Sequence, residues 1–141
     1  MPPLLQIYEN TKVLKRPSDC IHPCVPWIEI KLDGGPAYVE LIEIKNPTIT
    51  QSQNPNNTIV EVRVGNVKTT EDNKKSNRIC SNRTHIAENG QQFPTISIPC
   101  ETPMQGSLVT IALYDGNGEY NGTMTMKELK IYGKGMIIIR I

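Results

Sequence analysis

At 141 residues the chain has about one domain's length, enough for a single core that buries roughly two thirds of the surface its unfolded form exposes. Apolar residues make up 38%, which excludes a wholly disordered chain, and with one Trp, one Phe and five Tyr the core has to be aliphatic. Fifteen Lys and Arg against fourteen Asp and Glu leave a net charge of +1, too weak a field to hold nucleic acid by counterion release, and no run approaches the length of a membrane-spanning helix.

In chain order, the apolar residues recur with period two. Ile28, Ile30 and Leu32 alternate with Glu29, Lys31 and Asp33, and Val60, Val62 and Val64 alternate with Glu61, Arg63 and Gly65. Ile96, Ile98 and Cys100 share a face, as do Val109, Ile111 and Leu113. This spacing predicts half-buried strands with their charged residues pointing to solvent. Met124 and Met126 give way to Leu129 and Ile131 after a one-residue slip, which reads as a bulge near Lys127 and Glu128. Asp33-Gly34-Gly35-Pro36, Asn54-Pro55-Asn56-Asn57, Glu88-Asn89-Gly90 and Asp115-Gly116-Asn117-Gly118 are turn clusters between the strands. No stretch keeps a helical stripe, and the fold class that follows is all-β, an antiparallel sandwich or barrel with no internal linker.

Few residue constellations suggest chemistry. Asp115-Gly116-Asn117-Gly118-Glu119 sets side-chain oxygens at alternate positions, but Tyr120 stands where a calcium loop needs glycine and Met126 where it needs a bidentate Glu; the stretch reads as a hairpin loop. Cys20-Ile21-His22-Pro23-Cys24, with Cys80, His85 and Cys100, could supply zinc ligands, although no pair has zinc-knuckle spacing, and disulfides or inert thiols are the plainer reading. Two histidines and no nucleophile elbow leave little from which to build an enzyme. Asn56, Asn82 and Asn121 each open an N-glycosylation sequon, against about one or two expected by chance, and four cysteines point the same way, towards secretion. The opening Met1-Pro2-Pro3-Leu4-Leu5-Gln6-Ile7 has no basic n-region, so the expectation is a processed, truncated or fragmentary form of a secreted protein.

Six of these segments, in order, resemble the F-type lectin (fucolectin) domain of the discoidin-like jelly rolls. They are Pro26 to Leu32, Tyr38 to Asn46, Glu61 to Asn66, the two-cysteine region from Ile79 to Cys100, Gly106 to Ala112 and Lys127 to Gly133. The resemblance implies an antiparallel β-sandwich over residues 20–133, preceded by an atypical segment 1–19 and followed by an apolar tail 134–141. It also implies a glycan-binding, non-enzymatic module acting in glycan recognition or innate defence, with glycans or glycoproteins as partners and a sugar pocket in the loops at one end. His22 falls near the family's pocket histidine. Counting on by the family's spacing gives Pro47, Ile49 and Asn54 where two basic residues and an aspartate are required. The fucose motif is therefore degenerate, with Arg16, Lys45 or Arg83 as substitutes, and the alternative is a discoidin-like adhesion domain that has lost monosaccharide binding.

The same resemblance implies a Cys80–Cys100 disulfide, and a structural calcium with which Glu128 is associated, although the calcium loop has no counterpart before residue 20. Lys127 replaces the usual partner of Cys20, so Cys20 and Cys24 either close a small ring or stay apart. Without an opening strand, Met126 to Tyr132 would be an open edge, and Met136 to Ile141 would either fill it or drive homo-oligomers.

Overall fold

The computed structural model describes residues 2–9, 12–14, 25–49, 55–70, 73, 75–81, 84–115 and 123–136. In chain order the strands are β1 (Leu4–Tyr8), β2 (Lys12–Leu14), β3 (Trp27–Lys31), β4 (Ala37–Lys45), β5 (Thr48–Ile49), β6 (Thr58–Gly65) and β7 (Arg78–Ile79). They continue with β8 (Thr84–His85), β9 (Ala87–Glu88), β10 (Gln91–Gln92), β11 (Thr95–Gly106), β12 (Leu108–Asp115), β13 (Met124–Met126) and β14 (Glu128–Gly135). A single 3₁₀ turn, Pro55–Asn57, interrupts them among the described residues.

Two antiparallel sheets form the body, β1-β14-β4-β11 and β3-β12-β6-β7, the latter with β8 beside β6. Their inward residues make one aliphatic core. Val39, Ile42, Ile44, Ile96, Ile98, Leu129 and Ile131 come from the first sheet, and Ile30, Val60, Val62, Val64, Val109, Ile111 and Leu113 from the second. Strands with one apolar face can hide it only against another such face, which makes the β-sandwich the solution for this pattern. The sheets close at one end through a third, small sheet, β2-β13-β5, whose Leu14, Met124 and Met126 are fully buried.

Where Met126 meets Glu128 the chain leaves this small sheet for the main one. The slip expected as a bulge is thus a change of sheet, pinned by the Lys127 N–H donating to the Lys45 carbonyl at 3.1 Å. Because each half packs its own side chains inward, the period of two restarts one residue later.

The N-terminal segment corrects the expectation of a missing first strand. β1 pairs with β14 through Leu4↔Tyr132, Ile7↔Lys130 and Tyr8↔Leu129, so the closing strand lies between β1 and β4 and has no open edge along this stretch. The boundary expected at residue 20 therefore cuts through the sandwich. β1 escapes a hydrophobic reading because its best-buried residue is Gln6, 8% exposed, while Leu4 and Ile7 face outward. Gln6 joins the two sheets: its Oε1 accepts the Asp33 N–H at 2.8 Å, and its Nε2 donates to the Lys31 carbonyl at 3.1 Å and to the Tyr8 hydroxyl at 2.6 Å. At the other end of the chain β14 runs two residues past Gly133, to Gly135, and the Met136 N–H donates to the Pro36 carbonyl at 3.4 Å. Residues 137–141 lie outside the described residues.

A second difference concerns the outer face of the β3-β12-β6 sheet. Glu61 alternates with valines as a solvent-facing residue should, yet it is 2% exposed. Described residues between Asn66 and Asn77 pack over this face. The Glu61 carboxylate holds Arg63 Nε at 2.7 Å, and Arg63 reaches the carbonyls of Lys75 and Asn77 at 3.1 and 2.8 Å. Glu29 accepts the Thr69 N–H, and the Thr69 and Thr110 hydroxyls meet at 2.7 Å. A charge taken from water survives only with its bonding filled: Arg63 on the same strand pairs with Glu61, and the carbonyls of Lys75 and Asn77 take up Arg63's other donors.

The Cys80–Cys100 disulfide is present, with its Cα atoms 4.5 Å apart. Cys80 follows β7 on the edge of one sheet and Cys100 lies in β11 on the edge of the other, so the bond staples the sandwich. A loop of 20 residues closed this way stabilises by roughly 3 kcal/mol on the chain-entropy estimate. Replacing both cysteines by alanine should lower the urea-unfolding free energy by about that amount with the fold retained. Gln6→Ala should cost about 1–3 kcal/mol in the same assay, because it removes the two bonds, from the Asp33 N–H and to the Lys31 carbonyl, that join the sheets.

Candidate functional site

The strand directions gather particular loops at one end. Lys45 closes β4 opposite Glu128 and Thr95, which open β14 and β11, and Thr58 opens β6 opposite Asp115 at the end of β12. Residues 46–49 and 55–57, residues 80–81 and 84–94, the small sheet, and Leu14 and Val25 therefore share this end.

A cavity of about 420 Å³ opens there, lined by Asn56, His85, Ala87, Glu88, Asn89 and Phe93. Local sequence explains each position. β8 pairs with β6 in the register Ile59↔His85, and Ile86, fully buried, drives its neighbour His85 outward by simple alternation. β9 and β10 form a hairpin with Glu88↔Gln91 across a two-residue turn. That turn is Asn89-Gly90, both at positive φ (52° and 80°), the conformation for which Asn-Gly is the favoured dipeptide. Phe93, whose N–H donates to the Ile86 carbonyl at 2.9 Å, leans its ring on the core while still bordering the cavity.

Asn56 ties the parts together. Its carbonyl lies 2.8 Å from His85 Nδ1, and its Oδ1 accepts the Gly90 N–H at 2.9 Å. A carbonyl only accepts, so His85 carries its proton on Nδ1 and presents Nε2 as an acceptor when the ring is neutral. The wall thus offers an imidazole nitrogen, a carboxylate at Glu88, an amide at Asn89 and one aromatic surface. No lysine or arginine is among the described residues of this lining.

The expected site residues fare differently. His22, Cys20, Cys24, Arg16, Arg83, Asn82 and Asn121 lie outside the described residues, as do residues 116–120 of the Asp115 loop. Asn56 lines the cavity, a role its sequon did not announce. Of the three positions of the degenerate motif, Pro47 is buried and Ile49 lies in β5, paired to Met124, so neither offers a polar side chain, and Asn54 lies outside the described residues. Lys45 is half-exposed beside Glu128, whose Oε1 lies 3.9 Å from its ammonium and 3.3 Å from that of Lys130. The hydrogen bond and charge of Glu128 raise the Lys130 pKa above its ordinary value, so this contact stabilises the fold below that value and is lost as the pH rises through the folded-state one.

Cys80 and Cys100, being bonded to each other, are removed as zinc ligands. Among the described residues no three His, Cys, Asp or Glu side chains converge on a metal position. Glu128 in particular does not fit a calcium ligand, since two ammonium groups repel a dication there. Glu128→Gln should leave any calcium-dependent shift in melting temperature unchanged, measured with calcium and with chelator.

His85 and Phe93 line the cavity although neither belongs to the family motif and each reads in the sequence as an ordinary member of a short strand. The signal that marks them is local. The Asn89-Gly90 hairpin folds this chain's one Phe back beside His85.

Comparison with known proteins bears on the fold. No protein family and no curated protein matches the chain by sequence. Solved structures do match by shape. A fucolectin from striped bass (Morone saxatilis) serum superposes with a TM-score of 0.55 at 20% identity, covering 80% of this chain and 33% of its own, so the present chain spans about a third of that protein. A Clostridium perfringens CBM32 module in complex with GalNAc-β-1,3-galactose gives 0.53 at 15% identity over 89% of this chain and 76% of its own. The family 32 module of C. perfringens NanJ, in complex with galactose, gives 0.51 at 14% identity over 94% and 99%. This chain has their fold. It is the discoidin-like β-sandwich expected from the six resembling segments, and no helix among the described residues is long and apolar enough to cross a membrane.

Proposed function

We propose that the protein is a secreted, non-catalytic carbohydrate-binding module that takes a neutral sugar in the cavity between the 3₁₀ turn, β8 and the β9–β10 hairpin. The observation that carries this reading is the lining itself: one aromatic ring beside an imidazole, a carboxylate and an amide, at the loop end of the sandwich. A volume of 420 Å³ falls in the range of small-molecule sites, and such sites pair apolar surface with a few fixed polar groups. Phe93 supplies a face against which the C–H side of a pyranose packs, while His85 Nε2 and the Glu88 carboxylate accept its hydroxyl protons. With a carboxylate and no cation on the described wall, an acidic sugar would be repelled. The neighbours' own ligands, galactose and GalNAc-β-1,3-galactose, are neutral sugars.

Fucose is a weaker expectation. Pro47, Ile49 and Asn54 stand where the fucolectin pattern has two basic donors and an aspartate, and losing the two charge-assisted donors, about 1.5–3 kcal/mol each, leaves a shallow monosaccharide site with little affinity. The same positions favour the alternative, an adhesion domain that binds a protein surface and no sugar.

A glycan array followed by calorimetry separates the two. The expected result is retention of neutral, non-fucosylated glycans, with Phe93→Ala and His85→Ala each weakening binding about tenfold, or about 1.4 kcal/mol. An array with no signal supports the adhesion domain. Signal unchanged in both variants would place the sugar elsewhere on the molecule.

A further inference from the structure

Asn56 belongs to two features at once. It opens the sequon Asn56-Asn57-Thr58, and it lines the cavity beside His85, Glu88, Asn89 and Phe93. It is also fastened: the carbonyl to His85 Nδ1 at 2.8 Å, the side-chain Oδ1 to the Gly90 N–H at 2.9 Å. We propose that Asn56 carries an N-linked glycan whose first sugars occupy the mouth of this cavity, so that occupancy of one sequon decides whether the module accepts a sugar from outside. The inference rests on the reading of the cavity as a sugar site.

Attachment takes an oligosaccharide from a lipid-linked diphosphate donor. Asn56 Nδ2 forms the bond to the anomeric carbon, the bond from that carbon to the diphosphate oxygen breaks, and the amide proton is lost as the lipid diphosphate departs. The product keeps Oδ1 and one N–H, so the bond from Gly90 persists and holds the linkage against the hairpin. A sugar tethered on so short an arm has an effective concentration of about millimolar, enough to outcompete dilute free ligand at a shallow site.

The fold also dates the event. Thr58, whose hydroxyl completes the sequon, is 0% exposed in β6 and pairs with Asp115 of β12. The sequon is therefore readable before β6 joins its sheet and hidden afterwards, which makes the modification co-translational and permanent for that molecule.

The test uses the full chain with Asn82→Gln and Asn121→Gln, leaving the Asn56 sequon alone. One batch is secreted from a glycosylating eukaryotic host, the other from the oxidising periplasm of a bacterium that adds no N-glycan. Peptide mass mapping should find Asn56 occupied in the first batch. On an array of neutral glycans the bacterial protein should bind, and the secreted protein should show at least a tenfold lower signal. An unmodified Asn56 in the secreted batch overturns the proposal, and so does equal binding by an occupied form, which would leave the sugar-site reading intact. Failure of both batches to bind any glycan overturns the sugar-site reading and this proposal with it.

Discussion

The structure depends on one constraint: a dry aliphatic layer that neither sheet can bury alone. Ile42, Ile44, Ile98 and Leu129 on one side and Val62, Val64, Val109 and Ile111 on the other are almost fully removed from water. Most strands are short, and several have only two or three residues, so hydrogen bonding along them adds little net stability compared with this burial. Two cross-links help keep that layer closed. The disulfide joins the sheets along one side, and the Gln6 bonds join them along the other.

Closing the layer also sets the loops. Two strands cross the sandwich with their ends at Lys45 and Thr58, and between them the chain must travel from one sheet to the other over the end of the core. At the start of that connection Pro47 is buried and Asn46 stands at positive φ (48°). The return path through β8, β9 and β10 lies alongside, which is why Asn56 and the Asn89-Gly90 turn meet and leave a cavity between them. The cavity is a consequence of connection geometry. Its chemistry comes from the residues that connection happens to present, and here those are His85, Glu88, Asn89 and Phe93.

The outer face of the β3-β12-β6 sheet shows the opposite use of a loop. There Thr69, Lys75 and Asn77 pack against the strands and each other, with Thr69 bonded to Thr110, Lys75 over the Tyr114 ring at 5.3 Å and Asn77 bonded to both the N–H and the carbonyl of Val67. Gly106 and Gly65 approach so closely at this sandwich end that a Cβ on Gly106 would sit 2.5 Å from the Gly65 carbonyl oxygen, which excludes any side chain there. Backbone contact thereby draws β6 and β11 together at this end.

How much of this was legible follows from the range of each signal. The sequence by itself determined the all-β class, the inward identity of Val60, Val62, Val64, Val109, Ile111 and Leu113, and the Asn89-Gly90 turn, because alternation and turn chemistry act over two to five residues. The pairing of Cys80 with Cys100 followed from family resemblance and holds. Only the tertiary structure decided that β1 belongs to the sandwich, since its inward residue is a glutamine whose partners lie about 25 residues away at Lys31 and Asp33. It also decided that Glu61 is buried, because burial on a sheet's second face depends on what covers it. The same holds for the cavity: Asn56 and His85 are 29 positions apart and share a wall only because β8 pairs with β6. Local pattern fixes which way a side chain points, and only the pairing of distant strands fixes what it points at.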